Sequence, residues 1–177
     1  MYKHLPSSLL TFELIMGDET LTPETFELLL TSLTTTCPLL IHLRLDSLST
    51  VSFTDPRPLS LLANFLTTHL TTLHTLNLSR NHLSSSLLER LALALNARAA
   101  DIDDEAVPAA LRTIYLCNLR SPQTLNWYSL LRPLIAVRDH PLEVVVSESQ
   151  TVGRLKEGYE RWVREAQEAE ASLHIRI

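Results

Sequence analysis

Glycine is scarce in this chain: of its 177 residues, only Gly17, Gly153 and Gly158 are glycine. Phosphate-binding loops, dinucleotide-binding turns and nucleophile elbows need closely spaced glycines, because their backbone adopts positive φ or approaches the ligand closely. None of these motifs occurs in the sequence. The commonest nucleotide-binding and hydrolase signatures are therefore excluded. We expect a protein that is not an enzyme, with no catalytic residue and no cofactor.

Cysteine and basic residues are also few. Cys37 and Cys117 are the two cysteines, and their wide separation predicts two free thiols rather than a zinc site. Free thiols are typical of a reducing compartment, so we expect an intracellular protein of the cytoplasm or nucleus. Fifteen Lys and Arg against twenty Asp and Glu give a formal charge of −5, which makes nucleic acid an unlikely partner.

Purely apolar segments of membrane-spanning length are missing as well. The segment 59–79 contains no charged residue, but 11 of its residues are Ser, Thr, Asn or His. Such residues are costly in hydrocarbon, so the segment predicts a helix followed by a strand rather than a membrane span. Pro6 and Glu13 interrupt the short apolar stretch at the N-terminus, which makes a poor signal peptide. No membrane association is expected.

Leucine, in contrast, is abundant, with 38 copies, and much of it is periodic. The segment 73–83 reads LHTLNLSRNHL, with Asn81 between the last two leucines. This is the pattern L-x-x-L-x-L-x-x-N-x-L, and here the chain resembles the leucine-rich repeat family. In that family the asparagine satisfies backbone groups at the turn that follows the strand, and only Asn81 occupies this position here.

Weaker copies of the motif recur along the chain. They read LLTFELIMG (9–17), LIHLRLDSL (40–48), LRTIYLCNL (111–119) and LEVVVSESQ (142–150). With Phe12, Leu43, Leu76, Ile114 and Val145 taken as equivalent, the spacings are 31, 33, 38 and 31. The longest spacing contains NARAADIDDEAVPAA, which we expect to be a loop insertion. The register of the fifth strand is ambiguous by one residue, and such a shift exchanges its two faces.

Each predicted strand is followed by a segment with helical spacing of apolar residues. These segments are 23–35, 56–70, 85–97, 121–137 and 151–172. Thr22 before Pro23 and Ser121 before Pro122 place a capping hydroxyl ahead of a proline that suits the first helical turn. A strand plus a full helix in about 30 residues resembles the ribonuclease-inhibitor-like subclass of leucine-rich repeats.

The resemblance implies an α/β fold: a short leucine-rich repeat solenoid, or horseshoe. About five parallel strands would line its concave side, and helices would cover its convex side. Residues 1–177 would form a single domain, with repeats in 9–150 and a C-terminal cap helix plus a short edge strand in 151–177. An apolar edge strand invites pairing, which leaves open a homodimer or a neighbouring subunit at that C-terminal edge.

The resemblance also implies that the strand face turned away from the helices binds a partner protein. The predicted partner-binding residues are Glu13, His42, Arg44, Asp46, Asn77, Ser79, Arg80 and Tyr115. The central column of this face would run from Glu13 through Arg44, Asn77 and Tyr115 to Val144 or Val146. Arg44 and Tyr115 are the predicted hot spots, because arginine and tyrosine are enriched among them. The function indicated is a non-enzymatic adaptor, with a subunit of a larger complex as one form of it.

The sequence also leaves three alternatives to compare with a protein-binding face. A GTPase-regulating leucine-rich repeat protein has a similar architecture, but no residue here matches a catalytic signature. An RNA-associated leucine-rich repeat subunit would use Arg44, Arg80 and Arg112 against phosphates. A metal site would pair His42 with His74, but the third ligand nearest in sequence, Asp46, lies about 13 Å from His42 along a strand, so no metal is expected.

Overall fold

A computed structural model describes residues 5–16, 21–48, 51–100, 109–119, 130, 132–136, 141–146, 160–161, 164–165 and 173–176. Strands and helices alternate along this part of the chain, as an α/β fold requires. In chain order they are β1 (Thr11–Ile15), α1 (Pro23–Thr36), β2 (His42–Asp46), α2 (Pro56–His69), β3 (Thr75–Asn77), α3 (Ser85–Ala100), β4 (Thr113–Tyr115), a 3₁₀ helix (Arg132–Ala136), β5 (Leu142–Val145) and β6 (Leu173–Arg176).

The six strands form one parallel sheet in which strands consecutive in sequence are also neighbours in space. Parallel neighbours need a crossover connection, and α1, α2 and α3 lie in the first three of these connections. The helices also contact one another in chain order, α1 with α2, α2 with α3, and α3 with the 3₁₀ helix. The chain therefore advances one strand at a time with its helices alongside.

The register aligns one apolar residue from each strand in a single row. Phe12 pairs with Leu43, and Leu43 with Leu76; the row continues through Ile114 and Val144 to Ile175. The choice of Val145 as the fifth equivalent point was therefore wrong by one residue. Three consecutive valines leave no alternation in the sequence, so only pairing with β4 decides which of them faces the core.

The core lies on one side of the sheet. Alternate strand residues such as Leu43, Leu45, Ile114 and Val144 are buried in one continuous cluster together with the apolar faces of the helices. Phe26 of α1 and Phe53, just before α2, meet inside it with ring centroids 5.7 Å apart. The remaining strand residues face away from this cluster. The leucine periodicity therefore specifies a sheet with one buried and one open face.

The predicted start of α1 is confirmed. Thr22 is the N-cap, and its hydroxyl accepts a hydrogen bond from the backbone N–H of Thr25 at 3.2 Å, ahead of Pro23 in the first turn. The proposed cap at Ser121 lies outside the described residues. Segment 59–79 does contain most of a helix, α2, followed by strand β3. Among the described residues, no helix is long and apolar enough to cross a membrane.

The turns that follow β2, β3 and β4 each contain a residue with left-handed backbone conformation, and in none of them is that residue glycine. Ser47, Arg80 and Asn118 have positive φ values of 62°, 59° and 50°. By strand register they are equivalent positions, one in each turn after β2, β3 and β4. Left-handed backbone is unfavourable for residues other than glycine and tolerable for asparagine. The three turns therefore share a left-handed position that none of them fills with glycine.

Towards the C-terminus, strand β6 pairs in parallel with β5. Residues 160–161 and 164–165 of the predicted cap helix are helical, and Arg161 forms an ion pair with Glu165 one turn later. The rest of 151–172 lies outside the described residues. So do 121–129, in the predicted fourth helix, and 101–108, in the expected loop insertion; α3 extends to Ala100.

Candidate functional site

The candidate site is the open face of the sheet, defined here as the strand side chains that point away from the core. Its central column is aligned by the register: Glu13 beside Arg44, then Asn77, Tyr115 and Val145. The Glu13 side chain is 53% exposed and that of Arg44 is 34% exposed. Asn77, Tyr115 and Val145 are half-buried. The column thus presents two charges, an amide, a phenol and an aliphatic group side by side.

The sequence placed Val144 or Val146 at the end of this column, and that expectation is wrong. Both side chains are buried in the core, and Val145 occupies the position next to Tyr115. The reason is the register already described: Val144 pairs with Ile114, so Val145 belongs to the opposite face. The sequence therefore predicted a valine at this end of the column, which is correct, but it indicated the wrong one of the three valines.

An ion cluster begins in the central column, at Glu13 and Arg44, and extends to the end of β2. Asp46 is the last residue of β2, and its side chain is only 1% exposed. Arg80, in the turn after β3, donates from Nε and Nη2 to the two carboxylate oxygens of Asp46, both at 2.8 Å. Arg44 donates from Nη2 to the same carboxylate at 2.9 Å, and its Nη1 lies 3.8 Å from Glu13. One buried carboxylate therefore holds two guanidinium groups from different repeats.

The protonation of Asp46 follows from this geometry. Burial by itself raises the pKa of the Asp46 carboxyl, but hydrogen bonds and charge attraction from Arg80 and Arg44 outweigh it and place the pKa below its ordinary value. The same pairing raises the pKa of Arg80. Asp46 and Arg80 are therefore both charged at neutral pH. Arg44 Nε is buried and has no hydrogen-bond partner among the described residues, so the contacts of this guanidinium are made by its two outer nitrogens.

Asparagine and serine side chains organise the turn next to this cluster. Asn77 Oδ1 accepts from the backbone N–H of Ser79 at 2.9 Å, and Ser79 Oγ accepts from the N–H of Cys117 at 3.1 Å. Asn81, fully buried, accepts from the N–H of Leu48 at 2.8 Å and donates to the carbonyl of Leu45 at 2.6 Å. These bonds tie the turns after β2, β3 and β4 together.

The structure brings together four of the eight predicted partner-binding residues, Glu13, Arg44, Asp46 and Arg80, in one charged cluster. Asn77 and Tyr115 continue from Arg44 along the central column. The exposed His42 lies in the neighbouring column, between Thr11 and Thr75.

Asp46 and Ser79 are buried, so an incoming molecule meets the groups they hold rather than these side chains themselves. Sequence reasoning placed both arginines on the open face. It did not reveal that Arg80, in the turn after β3, reaches back to Asp46 at the end of the neighbouring strand β2.

The histidine pair considered for a metal is not aligned. His42 pairs with Thr75, and His74 precedes β3, where its Nδ1 lies 2.8 Å from the carbonyl oxygen of Thr72. In the part of the chain that the structure describes, no group of three or more His, Cys, Asp or Glu side chains is placed to hold a metal ion. Cys37 and Cys117 are free thiols, the former buried and the latter half-buried.

No protein-family model matches the chain, and no curated protein matches it either. What the open face does must therefore be argued from its own side chains.

Proposed function

We propose that this chain is a non-enzymatic protein-interaction module that binds a partner protein through the open face of its sheet. We further propose that it is a short solenoid of the leucine-rich repeat type, similar to the ribonuclease-inhibitor subclass. In such a solenoid the open face is the concave side, because strands pack about 4.8 Å apart while neighbouring helices need about 8–10 Å.

The observation that carries the proposal is the central column itself. Glu13, Arg44, Asn77, Tyr115 and Val145 stand in register on five adjacent strands, on the face that the core does not use. A rigid sheet holds these side chains at fixed separations, so little conformational entropy is lost in ordering them when a partner binds. Tyrosine and arginine at the centre of a surface are the residue types that dominate binding energy in protein interfaces.

Two further features support a repeat solenoid. Asn81 accepts from and donates to the backbone of the preceding turn, which is the role its motif position implies. Strand order follows chain order throughout the sheet, so each unit contacts its sequence neighbours. Each repeat adds one strand to such a face, which makes a long surface on which an extended region of a partner protein can bind.

The proposal is tested by comparing face variants with helix variants. The purified protein is used to capture a partner from cell extract, and the captured protein is then produced separately for affinity measurement by calorimetry. Tyr115→Ala and Arg44→Ala should each weaken binding by about 1–3 kcal/mol. Leu93→Ala on α3 and Arg57→Ala on α2 are matched controls, because these side chains are 69% and 61% exposed on the helices.

Unchanged affinity in both face variants would remove the open face from the interface. A loss confined to Leu93→Ala or Arg57→Ala would assign binding to the helices instead.

A further inference from the structure

The open face carries a pair of arginines, Arg44 and Arg80, whose side chains are 34% and 46% exposed. They belong to different repeats, 36 positions apart in the chain, and meet because both bind Asp46. The carboxylate that joins them is buried, so an incoming molecule encounters guanidinium groups and not the acid that holds them. Arginine held in this way has already lost much of its side-chain freedom, which lowers the entropic cost of further contacts.

The two groups are close enough to act on one ligand group. Nη2 of Arg44 and Nη2 of Arg80 both lie within 2.9 Å of the same Asp46 oxygen. They are therefore less than about 6 Å apart, a span that a single carboxylate bridges with one charge-assisted hydrogen bond to each side. Arg80 uses Nε and one Nη2 proton on Asp46, which leaves its Nη1 protons for another acceptor.

The surroundings favour a carboxylate on a protein over a nucleic-acid backbone. A phosphate chain needs a continuous track of basic groups, and affinity grows with each phosphate neutralised. Arg112 does not extend the pair into such a track, since it precedes β4 while Arg80 follows β3, at the opposite ends of neighbouring strands. Its Nη1 also donates to the Ala109 carbonyl. Tyr115 and Val145, which follow Arg44 and Asn77 in the central column, offer instead an apolar surface for contact with protein side chains.

We propose that the arginine pair is the specificity element of the open face and that it receives an Asp or Glu side chain of the partner protein, with Asp46 as the positioning residue. The inference rests on the proposed function and names the chemistry of the partner. Glu13 then acts as an internal competitor, because its exposed carboxylate already lies 3.8 Å from Arg44 Nη1.

The test uses a random-peptide phage library selected on the full chain. Peptides that lose binding to Tyr115→Ala are synthesised, and their affinities are measured by fluorescence polarisation. We expect Asp or Glu to be enriched at one peptide position. The double variant Arg44→Gln/Arg80→Gln should bind about 10-fold more weakly or worse and lose that preference, while Arg57→Gln, a helix arginine, should bind normally. Circular dichroism confirms that each variant is folded.

The variant Asp46→Asn distinguishes a role of Asp46 in positioning the two arginines from the general effect of its negative charge. Removal of a negative charge near the site would by itself strengthen binding of an acidic peptide, and Glu13→Gln should have that effect. A positioning role predicts the opposite for Asp46→Asn, a loss of affinity, because the two guanidinium groups are no longer held. Stronger binding by Asp46→Asn would overturn the positioning role, and the double variant tests the pair even if Asp46→Asn does not fold.

The remaining outcomes are distinct. Peptides that depend on Tyr115 but show no acidic preference would overturn this inference and leave the proposed function intact. The absence of any peptide dependent on Tyr115 or on the arginine pair would overturn both. Binding of an oligouridylate through the pair, with no selected acidic peptide, would overturn the inference in favour of an RNA ligand.

Discussion

The hydrogen bonds of Asn81 allow a quantitative prediction for Asn81→Ala. The side chain joins two turns: it accepts from the N–H of Leu48 and donates to the carbonyls of Leu45, Leu78 and Ser79. Removal of the amide leaves the Leu48 N–H and the Leu45 carbonyl in the core without this partner. Each buried group left unsatisfied costs about 1–3 kcal/mol, so for these two groups we expect the free energy of unfolding to fall by about 2–6 kcal/mol.

The measurement is urea unfolding followed by circular dichroism, together with hydrogen exchange at the Leu48 amide. Asn64→Ala is the matched control, because Asn64 is exposed on α2 and its loss should change stability by less than about 0.5 kcal/mol. Asn81→Asp keeps the side-chain shape but turns an acceptor towards three carbonyl oxygens, so at neutral pH it should destabilise at least as much as alanine. An Asn81→Ala variant as stable as wild type, with an equally protected Leu48 amide, would refute this account of the turn.

Two further predictions concern the ion cluster and the left-handed turns. Because the pKa of Asp46 is lowered in the folded state, its contribution to stability is present above the ordinary value of 3.8 and is lost as the pH falls through the lower folded pKa. The free energy of unfolding of Asp46→Asn should therefore be about 2 kcal/mol lower than that of wild type at pH 7. This difference between the two proteins should become smaller below pH 3.8. A difference that does not change with pH would contradict the lowered pKa of Asp46. At Asn118, where φ is 50°, replacement by glycine should change stability by only a few tenths of a kcal/mol, while Asn118→Val should cost about 1–2 kcal/mol in thermal unfolding. Equal melting temperatures for these two variants would argue against a left-handed requirement at that turn.

The leucine spacing by itself predicted most of the secondary structure and the two faces of the sheet. Leu43 and Leu45, or Leu76 and Leu78, alternate with polar residues, and this period specifies a strand with one buried face regardless of its neighbours. Thr22 and Pro23 likewise determine a helix start through local hydrogen bonding and a fixed φ. Arg44, Asn77 and Tyr115 could be placed on the open face for the same reason.

Only the tertiary structure decided the two points on which the candidate site depends. The first is the fifth strand, where Val144, Val145 and Val146 are chemically alike and pairing with Ile114 alone assigns Val145 to the open face. The second is the meeting of Arg44 and Arg80 on Asp46, since Arg80 reaches a residue 34 positions away through a turn that register and backbone conformation orient. Periodicity is a local property of the chain, whereas a contact between repeats depends on how the strands stack. The sequence therefore specified the two faces of the sheet, and the pairing of its strands in the folded protein assembled the charged cluster on the open face.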